Sequence, residues 1–173
     1  RFERFDPNGQ YFPNLLNPPV HEDEFESLAQ DAKATTILMP RLGVSFPITE
    51  TGIIHFSYGH FAQMPRLRNL YLNPEFEFGV GSNPTFGNTN MRPERTVQYE
   101  IGLQQALTST LAFDVTGFFK DIRDYLALQT IRFSSIAGED VYNIYLNRDY
   151  ANVKGVTFAL TKRRAKNGLL SAG

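Results

Sequence analysis

The fold is decided by residues 95–121, which read RTVQYEIGLQQALTSTLAFDVTGFFKD. Residues 95–107 and 111–121 are two runs in which apolar and polar side chains alternate, joined by a polar link at 108–110. Because successive side chains leave a strand on opposite faces, this period of two predicts two β-strands paired as an antiparallel hairpin. Each run exceeds the roughly five or six residues of an ordinary strand and matches the roughly 9–11 residues that cross a bilayer at a tilt.

Further alternating runs flank this hairpin. Residues 36–48 and 53–61 alternate, and a returning strand covers 142–162. The links between runs are short at 49–52, 108–110 and 163–168, and long at 62–94 and around 122–145. In an up-and-down meander this places every short turn at one end and every long loop at the other, which is the asymmetry of outer-membrane barrels.

The tyrosines fit the same arrangement. Those expected towards the long-loop end, where barrels carry an interfacial aromatic girdle, are Tyr58, Tyr99, Tyr125 and Tyr150. We therefore predict an all-β fold: an antiparallel up-and-down transmembrane β-barrel, partial, contributing about five to seven strands of a larger barrel.

Prolines and breaks in the alternation predict the local irregularities. Pro47 is expected at a strand end and Pro40 at a bulge or other irregularity, because proline lacks a donor for the strand ladder. One helical turn is expected near 25–32 and a short helix at 66–72. The second strand of the hairpin is expected to extend outward over 122–131 and to end in a loop tip at 132–140.

Each strand is expected to present one apolar face to lipid and one small or polar face to the lumen. The lipid face includes Phe56, Ile101, Val115 and Phe158. The residues predicted to face the lumen are Ser57, Gln98, Glu100, Gln104, Asp114 and Thr116. A soluble ligand-binding β-sandwich also has one apolar face per strand, so alternation alone leaves that alternative open. A passive porin-like channel is the other alternative.

Composition and motifs argue against other classes of protein. The formal net charge of −1 argues against a nucleic-acid partner held by bulk charge. The absence of cysteine removes thiolate metal sites and cysteine nucleophiles. The histidines His21, His55 and His60 lack metal-ligand spacing, and no nucleophile, phosphate-loop or zincin motif occurs. We expect no enzyme activity, no catalytic residues, no metal and no cofactor.

One stretch resembles a known family. Residues 87–96 read GNTNMRPERT, and residues 99–102 read YEIG. This is similar to the motif of TonB-dependent outer-membrane receptors, in which an external loop ends in Gly-Asn-Pro-x-Leu-Lys-Pro-Glu and the strand then carries Glu-x-Gly. The chain departs from that motif at Thr89, Met91 and Arg92.

Two shorter segments are also similar to that family. They are SYGHF at 57–61 and NVKGV at 152–156, although Thr157 stands where the family often has Glu. The resemblance implies a closed barrel of about 22 strands with an N-terminal plug in its lumen. Residues 1–173 would then be part of a single outer-membrane β-barrel domain, with the plug and the remaining strands outside this chain.

The resemblance also implies a function. An outer-membrane receptor of a Gram-negative-type bacterium would take up a scarce solute when the TonB complex acts on the plug. The partners implied are outer-membrane lipid, the protein's own plug, the TonB complex and a small solute such as a siderophore, vitamin, glycan or peptide.

The long connection at 62–94 is the expected site of solute recognition, because binding residues commonly lie on loops carried by a rigid scaffold. The candidate ligand-binding residues are Arg66, Arg68, Tyr71, Asn73 and Arg92. Arginines offer charge-assisted donors to an anionic solute, and tyrosine offers a flat stacking surface. The alternative is that these side chains only pack the loop.

Overall fold

The computed structural model describes residues 1–13, 28–75, 83–135 and 138–163. Strands dominate this part of the chain. They are β1 (Phe2–Phe5), β2 (Gln10–Tyr11), β3 (Gln30–Asp31), β4 (Thr35–Leu38), β5 (Arg41–Thr49), β6 (Gly52–Gln63), β7 (Thr85–Phe86), β8 (Glu94–Ala106), β9 (Leu111–Ser135) and β10 (Gly138–Lys162). A five-residue helix, α1 (Leu67–Tyr71), confirms the short helix expected at 66–72. None of the described helices is long and apolar enough to cross a bilayer.

The principal sheet has six strands in the order β5-β6-β8-β9-β10-β7. Its first five members follow one another along the chain, except that the two-residue β7 lies between β6 and β8, and this order confirms the predicted meander. β7 pairs with β10 in parallel, with Thr85 opposite Asn143 and Phe86 opposite Ile144. Two small antiparallel sheets accompany it, one of β1 and β4 and the other of β2 and β3.

The two short turns are held by hydroxyl groups. At the β5–β6 turn, the Thr49 hydroxyl accepts a hydrogen bond from the Thr51 amide at 3.3 Å. At the β8–β9 turn, the Thr108 hydroxyl accepts from the amides of Thr110 at 3.2 Å and Leu111 at 3.0 Å. Short polar side chains that satisfy their own backbone are the chemistry that closes a tight turn.

The prolines lie where their missing donors matter least. Pro40 falls between β4 and β5, so the expected irregularity is present there. Pro47 lies inside β5, and the β5–β6 register shifts between Pro47 and Thr49. β5 is an edge strand of the principal sheet, and an edge is where proline is tolerated.

Two expectations are confirmed only in part. The outward extension of the strand over 122–131 is confirmed, because β9 runs from Leu111 to Ser135. The long connection around 122–145 is wrong as a loop, because β10 begins at Gly138 and the two strands leave little of the 132–140 loop tip. The helical turn expected near 25–32 is present at Leu28, its first described residue, but Gln30–Asp31 is strand β3, so the turn does not reach residue 32. The basic turn at 163–168 lies outside the described residues, apart from Arg163.

The chain divides into two compact units. The first, here the loop unit, comprises Arg1–Met39, Phe61–Thr96 and Ile122–Ala151. The second, here the strand unit, comprises Pro40–His60, Val97–Asp121 and the chain from residue 152 onward. β9 and β10 far exceed the roughly 9–11 residues that cross a bilayer, and the part of each strand between Ile122 and Ala151 belongs to the loop unit.

The loop unit has its own apolar core. Phe86, Ile131, Tyr142 and Ile144 are buried together, with Leu146 packed against them. The rings of Phe86 and Tyr142 lie 5.4 Å apart between centroids. Burial raises the pKa of the Tyr142 phenol to about 12, because the charged form loses its hydration there. The short strand β7 thus supplies the residue that closes this core.

Candidate functional site

The end of the 62–94 connection is tied to helix α1 and to β10 by Asn88. Its amide donates to the Asn69 carbonyl at 2.9 Å, and its side-chain nitrogen donates to the Tyr145 carbonyl at 3.1 Å. Its side-chain oxygen accepts from the Asn90 amide at 3.0 Å. This asparagine therefore uses backbone and side chain together to fix the loop that leads into β8.

The residues on either side of Asn88 pack just as closely. A Cβ added at Gly87 would lie 2.5 Å from the Leu70 carbonyl oxygen and 2.6 Å from the Leu72 nitrogen. Thr89 is buried, and its hydroxyl donates to the Gln10 carbonyl at 2.7 Å. The segment at 87–89 therefore joins α1, β2 and β10 within the loop unit.

Asp124 is the centre of an ion-pair cluster just beyond. Its carboxylate accepts from the Arg92 guanidinium at 2.8 Å and from the Arg95 guanidinium at 2.6 and 2.9 Å. The Asp124 side chain is only 9% exposed, whereas both arginines are mostly in solvent. Arg92, Arg95 and Asp124 are here called the Asp124 cluster.

Asn147 of β10 bonds both to Arg92, which precedes β8, and to Asp124 of β9. Its side-chain nitrogen donates at 2.8 Å to the carbonyls of both Arg92 and Asp124, and its oxygen accepts from the Arg92 amide at 2.7 Å. The Glu94 carboxylate also accepts from the Leu126 amide at 3.3 Å. The start of β8 is thus held to β9 and β10 by side chains from all three strands.

Beside this cluster lies a cleft of about 470 Å³, which we call the loop cleft. Its polar and aromatic lining includes Arg66, Asn69, Arg92, Glu94, Tyr125, Tyr145 and Asn147. The volume falls within the roughly 300–1,000 Å³ of small-ligand sites. Two guanidinium groups and two tyrosines give the loop cleft the chemistry to bind an anion beside a flat ring.

The structure brings only some of the predicted ligand-binding residues together. Arg66 and Arg92 both line the loop cleft. Tyr71 instead donates its hydroxyl to the Pro7 carbonyl, and Arg68 is exposed in the last turn of α1. Asn73 has a left-handed backbone, with φ of 48°.

The strand unit separates an apolar face from a polar one, as the alternation predicts. In the β5–β6 pair Val44 lies opposite Phe56 and Phe46 opposite Ile54, while Ser45 lies opposite His55 on the other face. Within the described part of the chain no residue covers the apolar face, whose exposed side chains include Phe46, Phe56, Ile101, Val156, Phe158 and Leu160. A bare face of this size on long strands is what a lipid-facing barrel wall presents.

An aromatic row crosses the apolar face. The Tyr58 and Tyr99 rings are 5.0 Å apart between centroids, and Tyr99 and Phe119 are 6.3 Å apart. The Tyr58 hydroxyl and a His60 ring nitrogen are hydrogen-bonded at 2.5 Å. Amphipathic rings of this kind are the components of an interfacial girdle.

The polar face carries two separate hydrogen-bonded groups of the predicted lumen residues. Glu100 accepts from the Ser57 hydroxyl at 2.9 Å and from Gln98 at 2.6 Å, so its partners are neighbouring small polar groups. Thr116 donates to Asp114 at 3.0 Å. These are contacts among residues predicted for the lumen, on β6, β8 and β9.

Gln104 and Asp114 line a second cavity, of about 390 Å³, beside the β8–β9 turn. Phe118, the apolar exception on the polar face, covers Gly155: a Cβ there would lie 2.8 Å from its ring. The described residues hold no group of three or more ligands suited to a metal ion.

Sequence reasoning did not find Asp124, Asn147, Tyr125 or Tyr145 as members of the loop site. Asp124 was recognisable only as one of two acidic residues flanking Arg123. Its partners Arg92 and Arg95 lie 32 and 29 positions before it in the sequence, so no local pattern joins them.

Long antiparallel strands, short turns at one end of each hairpin and a bare apolar face define the class: an all-β protein whose sheet is part of a transmembrane β-barrel. The family model for the TonB-dependent receptor-like β-barrel matches residues 1–172. The chain belongs to the TonB-dependent receptor β-barrel family. No curated protein matches the chain at a significant level.

Solved structures of receptors have a similar fold. A variant of the ferric enterobactin receptor PfeA from Pseudomonas aeruginosa matches 80% of this chain and 21% of its own, at 20% identity and a TM-score of 0.61. The siderophore receptor PirA from Acinetobacter baumannii matches 76% of this chain and 21% of its own, at 18% identity and a TM-score of 0.54.

The FrpB iron transporter from Neisseria meningitidis matches 76% of this chain and 17% of its own, at 21% identity and a TM-score of 0.52. The chain thus spans about a fifth of the length of these proteins. At this level of identity, the likeness concerns the fold.

Proposed function

We propose that this chain is a segment of the barrel of an outer-membrane receptor that takes up a scarce solute with energy delivered through TonB. The observation that carries the proposal is the family match over residues 1–172, together with an uncovered apolar face on the strand unit. All 173 residues would belong to one barrel domain. The barrel would lie in the outer membrane of a Gram-negative-type bacterium.

Family membership also favours the receptor over the two alternatives. Neither a passive channel nor a soluble sandwich is expected to match the receptor-barrel family. A sandwich would also cover the apolar residues with a second sheet. A transport role needs no covalent chemistry. The plug and the TonB complex are the partners that this function requires.

The solute is proposed to bind in the loop cleft. Arg66 is exposed at its rim, and Arg92 lies beside it with one guanidinium nitrogen bonded to Asp124. Tyr125 and Tyr145 supply ring surface in the same cleft. A small anionic solute with a flat group fits this lining. A ferric siderophore is the first solute to test, since similar folds include a ferric enterobactin receptor and a siderophore receptor.

The cleft lining does not include the other three predicted ligand residues, which are Arg68, Tyr71 and Asn73. They share the loop with Arg66, so one deletion tests all of them. Removing residues 66–87 from the full-length receptor, while keeping 88–94, should abolish solute binding and leave barrel assembly in the outer membrane intact. Unchanged affinity would assign recognition to other loops or to the plug.

A point variant tests the cleft itself. Arg66→Ala should weaken binding of an anionic solute by about tenfold, as expected for the loss of one charge-assisted contact. Arg148→Ala is the matched control, because Arg148 bonds to Gln129 and lies outside the cleft lining. Equal losses in the two variants would show a general charge effect, and no loss in Arg66→Ala would remove the cleft from recognition.

A further inference from the structure

The apolar face of the strand unit contains a groove of about 530 Å³. Its lining includes Tyr99, Ile101, Gly117, Phe119, Lys154 and Val156. The groove exists because Gly117 has no side chain. A Cβ placed there would meet nothing closer than the Ile101 carbonyl at 3.9 Å, so this position is an open gap in the layer of side chains.

The walls of the groove are exposed hydrocarbon. Val156 is 74% exposed and Ile101 57% exposed, and the rings of Tyr99 and Phe119 form one end. If this face meets the bilayer, as the proposed function requires, acyl chains are the only abundant molecules that can enter the groove. A flexible chain can fill such a gap, whereas leaving it empty forfeits dispersion contacts with the lining.

Lys154 gives the groove a charge. It lies two residues before Val156 in β10, and residues so spaced share a face of a strand. No described residue forms an ion pair or a side-chain hydrogen bond with its ammonium group. Glu100 also borders the groove, but its carboxylate is bonded to Ser57 and Gln98 on the polar face.

We propose that this groove is a binding site for one anionic membrane lipid, with an acyl chain over Gly117 and the lipid phosphate at Lys154. The inference rests on the proposed membrane location of the barrel. Because any acyl chain gains little by leaving other lipid tails, shape and the phosphate contact would provide the selectivity. A neutral lipid of the same chain length should therefore bind more weakly than an anionic one.

Native mass spectrometry of the full-length receptor in detergent tests this directly. The probes are phosphatidylglycerol and phosphatidylcholine with identical acyl chains. The receptor should retain one phosphatidylglycerol, with about fivefold higher affinity than for phosphatidylcholine, as expected for one basic residue at an anionic surface. Lys154→Gln should abolish that preference, and Gly117→Leu should weaken retention of both lipids.

Two matched variants provide the controls. Lys162→Gln removes another exposed lysine of β10 that does not line the groove, and Gly43→Leu fills another open glycine position. Both should retain lipid as the unaltered receptor does. Retention without preference for the anionic lipid, or unchanged retention in Lys154→Gln or Gly117→Leu, would overturn the inference.

The outcome is separable from that of the proposed function. A receptor that inserts into the outer membrane and binds its solute, but retains no lipid at this groove, would contradict the lipid site alone. A receptor that does not insert into the membrane would contradict both.

Discussion

Asp124 combines a left-handed backbone, with φ of 57°, and a carboxylate that accepts from two arginines. Left-handed conformations are tolerated best by glycine, asparagine and aspartate. Aspartate is thus one of few residues that can adopt this backbone, and the only acidic one of that group. Both properties explain why an almost buried aspartate occupies this position in β9, where Arg92 and Arg95 contact the strand.

Asp124→Asn tests the cluster while preserving the side chain's size and its backbone tolerance. Losing the charge should weaken both arginine contacts, at a cost of about 1–3 kcal/mol in the local opening free energy of the segment entering β8. Hydrogen exchange of the Arg92 amide, which donates to Asn147, reports that opening in the full-length receptor.

The control is Asp6→Asn, which removes the ion pair between Arg4 and Asp6. Those side chains are 67% and 51% exposed, so that pair should contribute little, between about 0 and 1 kcal/mol. If Asp124→Asn exchanged no faster than Asp6→Asn, the Asp124 cluster would not be what holds the loop.

At the scale of the elements, Gly87 shows how closely the loop and helix α1 approach. A Cβ there would lie within 2.6 Å of backbone atoms of Leu70 and Leu72, and backbone cannot rotate aside as a side chain can. Gly87→Ala should therefore displace the loop from α1, destabilising it by about 1–3 kcal/mol and weakening solute binding. Limited proteolysis of the loop and solute titration measure the two effects.

The same substitution at Gly43 is the control, since a Cβ there meets nothing within 4 Å. Gly43→Ala should leave both proteolysis and binding unchanged. If Gly87→Ala bound solute normally and resisted protease as the unaltered receptor does, the loop would not depend on this approach to α1.

Strand β8 allows its two faces to be compared within one element. Ile101→Arg places a charge on the bare apolar face, and its cost depends on depth, from about 2–4 kcal/mol at the bilayer midplane to about 0–1 kcal/mol at the interface. Gln98→Arg, on the opposite face, places its charge next to Glu100, the present partner of Gln98, and should cost less. Reversible folding into lipid vesicles measures both free energies, and equal costs would contradict the assignment of faces.

The elements also show what a local pattern can predict. The strands near 95–121 were predictable because a period of two is visible within ten residues, and the turn at 108–110 because its hydroxyls bond to their own backbone. The extension of β9 beyond residue 121 was only partly predictable. Its residues pack in the core of the loop unit through Ile131, so they need not alternate as a membrane wall does.

At the scale of the whole chain, the candidate site depends on contacts that no local pattern contains. Thr89 bonds to Gln10 across 79 positions, and Asn147 bonds to Arg92 across 55. The motif at 87–96 indicated the family, but the roles of its residues as anchors emerged only from those partners. Arg92 illustrates this, because the side chain proposed to meet solute also holds β8 to β9.

The central claim is that these strands form a wall between lipid and a barrel interior. These 173 residues contain no cysteine, so none of them needs replacement before single cysteines are placed along β8. In the full-length receptor, with any cysteine elsewhere replaced by serine, each such position can be spin-labelled in the membrane. Labels at Tyr99, Ile101 and Leu103 should be accessible to oxygen dissolved in lipid, and labels at Gln98, Glu100 and Gln104 should not. Accessibility without this alternation, or access of a water-soluble relaxation agent to the first three positions, would contradict the account.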